Sequence, residues 1–224
     1  VLGEFVIRNL RIDLTQNSEG AWQLSGIATP DSNGPADLNA LYQTFLSFTE
    51  LELQGVAINV HPLNGDSFSF VQGTASVRNQ GQNHYLHVNA SLEGNPEPLT
   101  ISFELQGEDL NQASGTLHAL VPDADYSRVF AGQDLGALAI LGLEGSGQVW
   151  IGVEAGQLSA ATVEFDVPGL TISGKRREQA RQTESEQLGL TNLKGMARLS
   201  HNSEESVWEL ALANMSVTYR SDSW

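Results

Sequence analysis

A chain of 224 residues with 11 basic and 27 acidic side chains has a formal charge of −16. This balance excludes an electrostatic interface with nucleic acid or with an anionic membrane surface, because both need basic patches. The absence of cysteine also excludes disulfides, thiol catalysis and cysteine-based metal sites.

The first elements predicted along the chain are two strands, a loop and a helix. The segments EFVIRNLRIDL (4–14) and AWQLSGIA (21–28) have strand-like patterns. The composition of residues 29–36, TPDSNGPA, indicates a loop. Asp37 is predicted to cap a short helix. The apolar residues of this helix, at helical spacing, are Leu38, Leu41, Tyr42, Phe45 and Leu46.

A long run of strands follows between Leu51 and Leu120. Apolar residues alternate with Ser, Asn, Glu, Gln or His, which is typical of a half-buried antiparallel sheet. The predicted strands cover residues 51–60, 68–78, 84–92, 99–107 and 113–120. The pattern leaves one long apolar face and provides no crossover helices to cover it. What covers that face is therefore the central question about function.

A second short helix is predicted at DADYSRVF (123–130), with Asp123 or Asp125 as its cap. Residues 132–147 are rich in glycine. A hairpin is then predicted around Ala155-Gly156. It places Val149, Ile151 and Val153 opposite Val163, Phe165 and Val167.

The segment KRREQARQTESEQ (175–187) interrupts the strands. It holds four of the eleven basic residues and no large apolar residue, so it is predicted to be a solvated loop. Strands resume over 190–200, 207–215 and 216–220. Both ends of the chain resemble the edges of a continuing sheet. We therefore expect one all-β unit over 1–224 that is part of a longer protein.

No motif with a catalytic mechanism competes with this interpretation. Gly142, Gly145 and Gly147 precede a strand instead of a helix, so they are predicted to ease a bend in a sheet rather than to bind a dinucleotide. His84 and His87 are predicted on opposite faces of a strand, where they do not converge on a metal. The tryptophans are predicted to pack in the core or at edges instead of stacking on sugars; they are Trp22, Trp150, Trp208 and Trp224.

Several segments resemble the YhdP-type AsmA-like proteins of Gram-negative bacteria. They are the apolar helix leading into a strand–NGD–strand hairpin, RNQGQNHYLHVNASL, GTLHALVPDADYSRV, GSGQVWIGVEAGQL and the terminal LKGMARL…VWELALANMSV…W. The resemblance covers most of the chain, and it consists of patterns of Gly, Trp and apolar spacing. It implies a periplasmic protein, anchored in the inner membrane, whose long curled sheet carries phospholipid towards the outer membrane.

The predicted fold is thus all-β: a long antiparallel meander, curled into an open, taco-like groove or a sandwich, with one or two short helices. The predicted partners are phospholipid acyl chains, without cofactor, metal or nucleic acid, and isolated fragments are expected to associate through open sheet edges. The residues predicted to line a lipid groove are Leu86, Val88, Ile101, Phe103, Leu105, Leu117, Val149, Ile151, Val153, Val163, Phe165, Val167, Leu210 and Leu212.

Two other functions are compatible with the same strands. A closed extracellular β-sandwich would have a dry core and would bind a glycan or a protein through loops such as 29–36 or 175–187. A hydrolase with an acidic groove would depend on a pair of carboxylates. The alternation favours the first two functions and does not separate them.

Overall fold

The computed structural model describes residues 2–25, 38–130, 138–174, 187–202 and 207–220. In these residues, 12 strands form one open, mixed sheet, accompanied by two short helices. The predicted all-β class and long meander are confirmed. Because the described strands belong to one sheet, they correspond to the open alternative and not to a sandwich.

The first half of the sheet contains seven strands and a helix. Their bounds are β1 (Leu2–Arg8), β2 (Arg11–Gln16), β3 (Trp22–Ser25), α1 (Leu38–Leu46), β4 (Phe48–His61), β5 (Phe68–Gln80), β6 (Asn83–Leu92) and β7 (Pro98–Gln106). The second half contains β8 (Ser114–Asp125), α2 (Ser127–Phe130), β9 (Leu138–Glu154), β10 (Gln157–Gly174), β11 (Gln187–Asn202) and β12 (Val207–Arg220).

The strand order is β12-β11-β10-β9-β8-β7-β6-β5-β4-β2-β3, and β1 also pairs with β4. From β4 to β12 every strand pairs antiparallel with the next. The predicted turn at Ala155-Gly156 connects β9 to β10, with φ angles of 48° and 71°. Two consecutive residues with positive φ suit the turns whose twist matches that of a hairpin.

The segment predicted as one strand over 4–14 consists of two strands, β1 and β2. They are separated at Asn9, which has a φ of 58°, and both pair with β4 in parallel. The interruption matches an irregularity in β4 at Gly55, where φ is 68°. The Asn9 N–H donates to the Gln54 carbonyl at 2.8 Å, so the backbone bonding continues across the interruption.

The second helix is shorter than predicted. Residues 123–125 belong to β8, and α2 begins at Ser127. The Ser127 N–H donates to Asp125 Oδ1 at 2.9 Å, so Asp125 is the capping residue and Asp123 is not.

The three glycines predicted to ease a bend in a sheet, Gly142, Gly145 and Gly147, lie within β9, beside shifts in its register with β8 and β10. The register places Val163 opposite Val149 as predicted, but Phe165 lies opposite Gly147. A Cβ at Gly147 would lie 2.7 Å from the Glu164 carbonyl oxygen, so this glycine permits a close approach between strands.

Three further predictions can be located in the chain. Residues 216–220 continue 207–215 as one strand, β12. The loop at 29–36 and the cap Asp37 lie outside the described residues, as do 175–186 of the predicted polar loop. Its last residue, Gln187, begins β11.

Candidate functional site

One face of the sheet has two unbroken rows of apolar side chains that cross ten strands. Residues directly opposite each other on paired strands point to the same side of a sheet, so each row follows from the register. The first row is Phe5, Leu51, Val77, Leu86, Phe103, Leu117, Ile151, Ala161, Leu199 and Leu210. The second row is Ile7, Leu53, Ala75, Val88, Ile101, Ala119, Val149, Val163, Ala197 and Leu212. We call this side the apolar face.

All fourteen residues predicted to line a groove lie on the apolar face. Ten of them occupy the two rows: Leu86, Phe103, Leu117, Ile151 and Leu210 in the first, and Val88, Ile101, Val149, Val163 and Leu212 in the second. Leu105 and Val153 lie beside the first row, both paired with Gly115. Phe165 and Val167 continue along β10 beside the second row.

Sequence reasoning missed several members of the same rows. Phe5 and Ile7 extend the rows onto β1, because they pair with Leu51 and Leu53. The alternation in EFVI and in TELELQ was the available signal. The partner of β1 is nevertheless a strand more than forty residues later, and periodicity alone does not identify it.

The apolar face is exposed most strongly at the outer strands. In β12, Leu210 is 65% and Leu212 is 60% exposed, whereas Leu86 and Leu117 in the interior strands are half-buried. Two rows over ten strands span about 45 Å at the usual strand spacing. The described strands therefore present a wide apolar surface, and a helix covers only part of it.

Helix α1 lies over the apolar face at β5 to β7. The Tyr42 hydroxyl donates to the Gly107 carbonyl at 2.6 Å, and its ring makes an edge contact with His84 at 5.9 Å. The Asn79 Nδ2 donates to the carbonyls of Phe45 at 2.8 Å and Phe48 at 2.7 Å. These contacts fix the end of the helix against the sheet.

Between α1 and the sheet is a cavity of about 330 Å³. We call it the α1 cavity. Its apolar wall includes Phe45, Leu46, Val77, Leu86, Phe103 and Leu105. Because Leu86 and Phe103 belong to the first row, the cavity adjoins the open part of the apolar face.

His84 is the buried polar residue of this region, with 8% of its surface exposed. Its Nδ1 lies 2.8 Å from Asn79 Oδ1. Since Asn79 uses its amide N–H groups on two carbonyls, its oxygen accepts and His84 Nδ1 is the donor. Burial lowers the pKa of His84, opposed by the Gly107 carbonyl and the Glu108 carboxylate, so the neutral ring is favoured.

The opposite side, which we call the polar face, carries the other alternate residues. Two Ser–His pairs resemble a nucleophile and its base: Ser67 Oγ lies 2.9 Å from His61 Nδ1, and Ser102 Oγ lies 3.0 Å from His87 Nδ1. Asn89 Nδ2 lies 3.0 Å from His87 Nε2, and Asn89 Oδ1 accepts from Thr100. His87 Nε2 is therefore the acceptor and Nδ1 donates to Ser102, so the neutral ring does not take a proton from that hydroxyl.

Trp150 lies on the polar face, where it is 38% exposed and stacks on His118 at 5.2 Å. The prediction of core packing is wrong for this residue, because its parity in β9 is opposite to that of Val149 and Ile151. Trp208 is 47% exposed and contacts His201 in the neighbouring strand β11. Trp224 lies outside the described residues.

Neither a metal site nor a membrane helix is evident in the described ranges. Within them, no group of three His, Asp or Glu side chains could hold a metal ion. None of the helices described is long and apolar enough to cross a membrane.

Comparisons of this chain with protein-family models, with curated proteins and with solved structures find no match. The interpretation of the site therefore depends on its geometry and on the pattern of residues.

Proposed function

We propose that the apolar face shields lipid acyl chains, and that this chain is a segment of an AsmA-like protein that moves phospholipid between the inner and outer membranes. One observation supports the proposal above all others: two unbroken apolar rows cross ten strands and, among the residues that the structure describes, α1 covers them at β5 to β7 and leaves the rest open. Monomeric proteins rarely expose continuous apolar surfaces of such width.

The chemistry of acyl chains suits a face of this kind. Burial of a methylene contributes about 0.8 kcal/mol and has no preferred direction, so a lipid chain needs contact area and no hydrogen-bond partner. The rows provide that contact area across neighbouring strands. In this proposal no single side chain is essential, and the charged residues of the polar face keep the protein in water.

The compartment and the assembly belong to the same proposal. A periplasmic location, with the full-length protein anchored in the inner membrane, follows from the resemblance to AsmA-like proteins. The outermost strand β12 exposes Leu210 and Leu212, where the two rows reach the sheet edge. We expect this edge to pair with a further strand, either of the longer protein or of a second copy.

The direct test is mass spectrometry of organic extracts from protein purified without detergent from Gram-negative cells. We expect stoichiometric phospholipid. Well-folded monomer without lipid would contradict the proposal.

A matched pair of variants tests the face itself. Phe103→Asp places a carboxylate in the first row, and Ser102→Asp places the same group on the polar face, one residue away in β7. At position 102 the carboxylate can accept from His87, which already bonds Ser102. We expect the amount of co-purified phospholipid to fall at least tenfold in Phe103→Asp and to stay unchanged in Ser102→Asp. Equal lipid content in the two folded variants would reject the assignment of this face.

A further inference from the structure

The α1 cavity differs from the rest of the apolar face because it is covered on two sides. The sheet provides Val77, Leu86 and Leu105 on one side, and α1 provides Phe45 and Leu46 on the other. Leu105 is 2% and Val77 is 5% exposed, so both side chains are buried. An apolar group that entered here would be surrounded, whereas on the open rows it would be covered from one side.

The polar groups near this cavity are already engaged or covered. The Tyr42 hydroxyl donates to the Gly107 carbonyl, and the Asn79 amide bonds two carbonyls and His84. The remaining nitrogen, His84 Nε2, is buried. The wall therefore offers a ligand apolar contact and no hydrogen bond.

These observations select one class of occupant. A lipid headgroup would lose its hydrogen bonds to water in such a cavity and would find no replacements. An alkyl chain loses nothing and gains burial. The cavity volume of about 330 Å³ lies at the lower end of the range for ligand sites. It has room for roughly ten methylene-sized groups, if each takes about the volume of a water molecule.

We propose that the α1 cavity binds the methyl end of a single alkyl chain, tail first, while the headgroup stays outside. The inference deepens the proposed function and rests on it for the choice of an amphiphile as ligand. The inference adds a defined site for the end of one alkyl chain to an apolar face that otherwise has no separate binding positions.

The test uses the whole chain and alkylphosphocholines of 6 to about 14 carbons below their micellar concentrations, with affinity measured by titration calorimetry. We expect the affinity to rise about fourfold per methylene until roughly ten carbons are buried. An affinity that does not depend on chain length would overturn the proposal.

Variants of one row locate the site. Leu86→Trp fills the cavity, and Leu117→Trp makes the same change in the same row outside it. We expect Leu86→Trp to lower the affinity for decylphosphocholine at least tenfold, and Leu117→Trp to change that affinity less than twofold. Leu46→Trp fills the cavity from the helix instead of the sheet. If Leu86→Trp does not fold, Leu46→Trp therefore provides the same test. Equal effects of Leu86→Trp and Leu117→Trp, or no effect of either filling variant, would overturn the assignment.

Phospholipid content separates this proposal from the proposed function. If Leu86→Trp loses the decyl probe and retains co-purified phospholipid, both proposals are supported and the cavity is a separate position. If the wild-type chain lacks phospholipid but binds the probe in a manner that depends on Leu86, the cavity assignment is supported and the transport proposal fails. If phospholipid is present and Leu86 has no effect on the probe, the cavity assignment alone fails.

Discussion

Leu105 tests whether the side under α1 is a true core. Its side chain is 2% exposed, and it lies in β7 opposite His84 and Gly115. Replacement by alanine removes three carbon groups, worth about 0.8 kcal/mol each in lost burial. The space left behind adds a further cost, and buried Leu→Ala changes typically total about 2–5 kcal/mol. Because the wall already borders the α1 cavity, we expect Leu105→Ala to lower the free energy of unfolding by about 3 kcal/mol.

The matched control is Leu120→Ala. Leu120 lies on the polar face and is 42% exposed, so the same deletion removes less burial. We expect this variant to lose under about 1 kcal/mol. Urea unfolding followed by circular dichroism measures both values. An unchanged slope of the free energy of unfolding against urea concentration would show that the variants expose as much surface on unfolding as the wild-type protein. Equal losses in the two variants, or a loss below about 1 kcal/mol in Leu105→Ala, would refute the placement of the core.

Two further predictions concern pH. Burial lowers the pKa of His84 in the fold, so between its ordinary value near 6.5 and the lower folded value the unfolded chain binds more protons. The free energy of unfolding should therefore fall as pH drops below about 6.5, and His84→Phe should lack this component; identical differences between pH 7.5 and pH 5.5 in the two proteins would contradict it. Burial, with the Asp123 charge, raises the pKa of Tyr126 to about 12, and its hydroxyl donates to the Pro122 carbonyl at 2.6 Å. The stability due to this group is present below about pH 10 and is lost as pH rises through 12. Ultraviolet titration should therefore show a tyrosine that ionises near pH 12 in the wild-type protein and is absent from Tyr126→Phe. Ionisation of Tyr126 near pH 10 would contradict its burial.

In the regular stretches of the strands, the side of the sheet to which a residue points could be predicted from sequence. In β7, Ile101, Phe103 and Leu105 alternate with Ser102 and Glu104 without interruption, so the period of two assigns the faces correctly. The same holds in β9 from Val149 to Val153. Local alternation is sufficient here because each side chain's direction depends only on its position in its own strand.

The irregular positions could not be predicted, because they depend on two strands at once. Gln72, Asn192 and Asn214 have φ angles of 55°, 54° and 53° within strands, at or beside shifts in register. Each shift inserts residues in one strand relative to its partner and resets which alternate residues face the same side. Nothing in a single strand's composition marks such a position, because the insertion is defined only by the pairing.

The parallel pairing of β1 and β2 with β4 is also a long-range property. Parallel neighbours need a long connection, and residues 17–47 separate the end of β2 from the start of β4. Turn signals predict which strands meet through short hairpins, and they contain no information about pairs of this kind. The first members of the two rows, Phe5 and Ile7, were therefore found from the register rather than from the pattern.

The strictest constraints on this sheet lie beside the apolar rows instead of within them. A Cβ at Gly115 would overlap the Glu104 carbonyl oxygen, so this position in β8 accepts no side chain without movement of the backbone. Its neighbour Leu117 contributes non-directional burial, which other apolar side chains of similar volume also provide. Selection for a chain-binding face would then preserve the close approaches between strands and the alternation, while individual apolar residues exchange. A face that binds through area is thus specified by the backbone register, and the side chains need only remain apolar.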